Sequence, residues 1–246
     1  MASAAALRAT TFHVAISGLG GEPDYEQRFG ALAAEAHKLV GSTADAKSYM
    51  LTGSGATKAK VRDTLTQIAG EAKADDTLVV LLIGHGTFDG TDYKINLPGP
   101  DLSAVELDAL LDRIPAQRQL VVNTTSASGA SISTLQKPNR VIVTATKSGT
   151  ERNAPVFARF WVEALRDPGA DADKNEAVSA LEAYRFADQK TVQYFERTKR
   201  LATEHAMLED TGKGDGVRAP SNDNGQGQVA GRLTLLRLGS MQKAAA

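Results

Sequence analysis

TLVVLLIGHG, residues 77–86, decides the fold. From Leu78 to Ile83 every side chain is apolar, and the run then meets Gly84, His85 and Gly86. A strand with one wet face would alternate apolar and polar residues. An uninterrupted run this short, closed by glycine, marks a strand covered on both faces, as in a parallel sheet. The segment is expected at the centre of such a sheet, with helices packed above and below it.

The flanking sequence supplies those partners. TFHVAISG (11–18) reads as a strand, and the helix after it starts at Asp24, with Tyr25, Phe29, Leu32, Ala36 and Leu39 at helical spacing and Gly41 closing the pattern. KSYMLTG (47–53) is a second strand, followed by a helix marked by Val61, Leu65, Ile68 and Ala72. Downstream, Ser103 and Glu106 form a capping box for a helix bearing Leu107, Leu110, Leu111 and Ile114, stopped by Pro115. RQLVVNTT and RVIVTAT are two more strands, and Pro155 is expected to open a helix carrying Phe157, Phe160, Trp161 and Ala164. This alternation predicts a doubly wound, three-layer αβα sandwich around a mostly parallel sheet of about six strands.

After the turn-forming stretch DPGADADKNE (167–176) the chain changes character. A long charged helix is expected from about 177 to 208, then an acidic glycine-rich turn, EDTGKGDG, and a last strand in GRLTLLRLG. The domain is thus placed at 11–240, with its core at 11–166 and a helical C-terminal extension at 167–240. Residues 1–10 and 241–246 read as added tails. Removal of a signal peptide would make the protein secreted or periplasmic; otherwise the expectation is cytoplasmic.

With 246 residues, 42% of them hydrophobic, the chain can bury a sizeable core. A formal net charge of −1 without basic clusters argues against a nucleic-acid partner. No stretch reaches the roughly 20 consecutive apolar residues of a membrane span, so no membrane partner is expected. Cysteine is absent, which excludes disulfides, thiolate metal sites and a cysteine nucleophile in this polypeptide.

Ligands of open α/β sheets bind at the carboxyl ends of the strands. There the 78–83 run delivers His85, and QLVVNTT delivers Ser126 within NTTSASGAS. An imidazole between two glycines has a backbone free to turn sharply and titrates near neutral pH, as a general base does; the bland reading is a loop histidine bonded to a carbonyl. The pair, Gly84-His85-Gly86 and Ser126-Ala127-Ser128-Gly129 at the ends of successive strands, resembles the caspase-like cysteine peptidases, most closely the legumain type. In that family His-Gly ends one strand and Cys-x-Ser-Gly follows the next. The resemblance covers roughly residues 11–166, with serine where the family has cysteine.

The resemblance implies a caspase-like fold, His85 as general base, position 126 as nucleophile and the N–H of Gly86 in the oxyanion hole. It requires no cofactor. Serine at position 126 leaves three readings open: a pseudopeptidase that binds a peptide or protein without cutting it, a cysteine endopeptidase whose cysteine has been deliberately replaced, or a Ser/His hydrolase. In legumain-type enzymes a basic residue after the first strand helps bind the side chain before the cleaved bond. Here Glu26 stands near that place and Arg28 follows two residues later. The peptide-binding edge would follow RVIVTAT, which makes Lys147, Ser148 and Gly149 candidate groove residues.

One further constellation suggests a metal. Asp171, Asp173, Asn175 and Glu182 occupy positions 1, 3, 5 and 12 of an EF-hand-like loop and would suit Ca²⁺, although position 6 is Glu176 instead of glycine. The alternative is an acid-rich helix start. His13 and His37 read as structural residues, and His205 lies close enough in sequence to the acidic turn to contact Asp210.

Overall fold

The computed structural model describes residues 9–238. The expectations for residues 1–8 and 239–246 lie outside the described residues. In chain order the structure contains β1 (Thr11–Ser17), α1 (Pro23–Gly41), β2 (Ala46–Leu51), α2 (Lys58–Glu71), β3 (Thr77–Ile83), β4 (Gly86–Phe88), β5 (Tyr93–Ile95), β6 (Leu102–Ser103), α3 (Ala104–Leu111) and β7 (Arg118–Asn123). There follow α4 (Ile132–Leu135), β8 (Arg140–Thr144), α5 (Phe157–Ala164), β9 (Ala177–Ser179), α6 (Ala180–Thr198), β10 (Met207–Glu209), α7 (Gln228–Arg232) and β11 (Thr234–Arg237).

Six strands form the central sheet in the order β10-β8-β7-β3-β1-β2, all parallel except β10. β3 is internal and buried along its whole length. Its period-2 alternation divides the core: Val79, Leu81 and Ile83 face α1, α5 and α6, while Leu78, Val80 and Leu82 face α2 and α3. The predicted three-layer sandwich is therefore the observed architecture. Ser103 and Glu106 form both bonds of the expected capping box. α5 starts at Phe157, two residues beyond Pro155, and its first N–H groups are met by a distant carboxylate, described below.

The C-terminal region differs from the expectation of one helix over 177–208. Ala177–Ser179 is a short strand, Ser179 then caps α6 through a capping box with Glu182, and the helix ends at Thr198 with Lys199 in the left-handed region (φ 53). Residues 207 and 208, expected at the helix end, and Glu209, expected in the acidic turn, instead form β10 and add the antiparallel edge to the central sheet against β8. The last strand, β11, lies where GRLTLLRLG predicted one, yet it pairs with β9 in a separate two-stranded ribbon.

Candidate functional site

β3 and β7 are neighbours, so their carboxyl ends bring His85 and Ser126 to one edge of the sheet. Gly84 makes the exit from β3 at φ +149, a backbone state that L side chains rarely adopt, and a Cβ there would lie 3.3 Å from the α carbon of Gly18. Gly86 is required for a different reason: a Cβ there would lie 2.5 Å from the Ser126 carbonyl and 2.6 Å from the Tyr93 hydroxyl. His85 is held by its own carbonyl, which accepts from the Asn96 N–H (3.0 Å), and by edge-on ring contacts with Tyr25 at 4.9 Å and Phe29 at 5.3 Å from α1. Burial lowers the imidazole pKa, a backbone hydrogen bond to Gly20 opposes that, and the Arg28 guanidinium adds to the lowering. The ring is thereby biased towards its neutral form.

Ser126 is buried at 2% exposure. Its hydroxyl accepts from the Gly86 N–H at 3.1 Å and donates to the Gly86 carbonyl at 3.2 Å. Among the described residues no hydrogen bond joins His85 to Ser126. The structure thus brings base and nucleophile positions to the same edge, but it directs the hydroxyl, and the N–H expected to serve an oxyanion, towards each other. Below them lies a polar network the sequence did not announce. Asn123 accepts from the Tyr93 hydroxyl (3.2 Å) and donates to the Ser131 hydroxyl (3.1 Å), and Tyr93 also bonds Thr125. Burial pushes the Tyr93 phenol up to about 12. Asn123 was visible as a polar end to an apolar strand; Tyr93, in a short hairpin, gave no such signal.

The groove candidates flank this centre. Lys147 has an exposed side chain, Ser148 bonds Thr150, and Gly149 is buried beneath the Phe88 ring. Glu26 is not a free acid: its carboxylate accepts the Gly20 N–H at 2.7 Å, tying the helix start to the preceding loop. Arg28 stacks over the Tyr25 ring at 4.6 Å and lines a cavity of about 130 Å³ with Phe29, Leu32, Thr124, Arg159 and Tyr194. Neither Arg28 nor Arg159 has a carboxylate partner among the described residues.

In the candidate calcium loop, one carboxylate oxygen from each of Asp171, Asp173 and Glu182 lies within 4.8 Å of the others. These groups already accept hydrogen bonds. Asp171 takes the N–H groups of Asn175 and Glu176, Asp173 takes the N–H and amide of Asn175, and Glu182 takes the N–H groups of Ala172, Asp173 and Ser179. Asn175 itself accepts from the Ala177 N–H. His205 contacts Glu151 at 2.5 Å instead of Asp210, whose carboxylate receives the N–H groups of Gly227, Val229 and Ala230. His37 bonds Ser48, and His13 is buried in β1.

No family model matches the sequence, and a comparison with curated proteins finds no match. Solved structures do match in fold. The Drosophila initiator caspase Dronc is similar at a TM-score of 0.54 with 10% identity, over 83% of this chain and 80% of that one. Protein GSU0716 from Geobacter sulfurreducens is similar at a TM-score of 0.53 with 13% identity, over 82% of this chain and 92% of that one. The chain has a caspase-like fold.

Proposed function

We propose that this protein grips a peptide or protein segment at the carboxyl edge of its sheet without cleaving it. The observation that carries the reading is the Ser126 hydroxyl, buried and bonded in both directions to Gly86 while His85 stands apart from it. An alcohol becomes a nucleophile only when an aligned base takes its proton, and here that proton is directed to a carbonyl. Groups suited to holding a peptide flank the same edge. Lys147 and Ser148 offer polar groups beside β8, and the Arg28–Arg159 cavity joins two uncompensated guanidiniums to an apolar lining, a setting for an acidic or amide side chain.

The test exposes the whole chain to a mixed peptide library, with retention and cleavage both read by mass spectrometry. Uncleaved peptides enriched in Asp, Glu or Asn should be retained, retention should fall with Arg28→Ala and Lys147→Ala, and a fluorophosphonate should leave Ser126 unlabelled. Labelling of Ser126 together with cleavage would instead establish a Ser/His hydrolase. A second reading, a cysteine endopeptidase carrying serine at its nucleophile position, is favoured by the shared edge of His85 and Ser126. It requires that Ser126→Cys cut the same library. Absence of both retention and cleavage would overturn the binding proposal.

A further inference from the structure

Glu151 ties together three segments that are remote in sequence. Its backbone carbonyl accepts the N–H of Ala127, the residue after Ser126, at 2.8 Å. Its carboxylate accepts the Lys147 N–H at 2.9 Å and, from the far side, the N–H of His205 at 3.1 Å and its Nδ1 at 2.5 Å. The Lys147 ammonium stands 3.8 Å away. Glu151 is only 11% exposed at its side chain, so these bonds form in a largely dry setting where they hold geometry well.

Each tethered segment matters to the site. Ala127 is in the left-handed region (φ 56) and fully buried, so the turn after Ser126 is an unusual conformation that its surroundings must hold. Lys147 lies directly on the same turn: a Cβ at Gly129 would be 2.3 Å from its carbonyl carbon. His205 belongs to the strap between α6 and β10, 54 residues away. The next strap residue inward, Glu204, accepts the N–H groups of Val156 at 2.8 Å and Phe157 at 3.3 Å at the start of α5. Glu204 and His205 therefore clamp both ends of the segment from 151 to 157.

We infer that Glu151 is a positioning residue of this edge: held by His205, it fixes the turn that keeps position 126 buried against Gly86. The inference concerns the same site as the proposed peptide binding, but the test below reads the site without any peptide, so the two fail separately.

Because the chain has no cysteine, Ser126→Cys introduces a single thiol whose alkylation by iodoacetamide reports access to the turn. In that background, Glu151→Gln and His205→Ala should each raise the alkylation rate about tenfold, the effect of one lost charge-assisted bond on a local opening equilibrium. His205→Asn should restore the slow rate, since its amide can donate from the Nδ1 position. Rates taken from about pH 7 to 9 separate access from a shift in thiol ionisation. A control thiol from Ala36→Cys, in α1, should not respond to Glu151→Gln. Equal acceleration at both positions would mean global loosening and would overturn the inference, as would an unchanged rate at position 126.

Discussion

Gly86 and Ala127 are both small residues beside Ser126, yet they occupy opposite situations. At Gly86 a methyl would press on the Ser126 carbonyl, the Tyr93 hydroxyl and the Thr125 hydroxyl, all within 2.7 Å, and none of these lies on a free side-chain end. Gly86→Ala should destabilise by about 1 to 3 kcal/mol, as overpacking does, with a matching fall in the urea midpoint. Ala127→Gly should do little. Relief of about 1 kcal/mol at φ 56 is offset by a more flexible unfolded chain and a lost buried methyl, so its midpoint should stay within about 1 kcal/mol of the parent. The positions of His85 and Ser126 were legible because an apolar run and the short glycine-bearing motif that follows it are local signals. Glu151 and His205 were not, because their importance lies in a contact that only the folded sheet edge creates.

Among the elements, legibility followed length. β3 was visible as an uninterrupted apolar run closed by glycine, and α3 through its capping box and the helical spacing of Leu107, Leu110 and Leu111. β9 and β10 have three residues each, too few to show a period, and they flank the amphipathic α6, so the whole stretch read as one helix. The start of α6 lay in an acidic stretch that read either as a calcium loop or as an acid-rich helix start. In the folded chain those acids accept backbone N–H groups. Glu182 accepts the N–H and hydroxyl of its cap, Ser179, and the N–H groups of Ala172 and Asp173, which pins the preceding loop to the helix. Glu182→Ala should cost about 2 to 3 kcal/mol by chemical denaturation, the loss of several bonds to one carboxylate. For the same reason, a calorimetric titration with millimolar Ca²⁺ should give no heat beyond dilution; a saturable heat abolished by Asp173→Asn would reinstate an ion site.

At the level of the whole molecule, two buried groups make stability depend on pH in opposite directions. Burial of Glu204, with the Glu151 charge adding to it and the α5 N–H groups opposing, raises its carboxyl to about 7. A raised acid favours folding when protonated, so its contribution is complete below the ordinary carboxyl range and disappears as pH rises through about 7. Between about pH 7 and 5 this is on the order of 2 to 3 kcal/mol in favour of the acid side. His13, buried in β1 with its Nδ1 unpartnered among the described residues and His37 nearby, is lowered to about 4. There the unfolded chain takes up the proton first, near 6.5, so stability falls on acidification, by about 2 kcal/mol over the same interval. His85 leans the same way as His13, with a smaller effect because it is only half-buried. The parent protein should therefore show a nearly flat urea midpoint from pH 7 to 5, a balance of two slopes. Glu204→Gln removes one of them and should lose stability steadily on acidification; His13→Leu removes the other and should gain it. Parallel profiles for parent and Glu204→Gln would mean that Glu204 is ionised in the folded protein, stabilised by the N–H groups of Val156 and Phe157 at the start of α5.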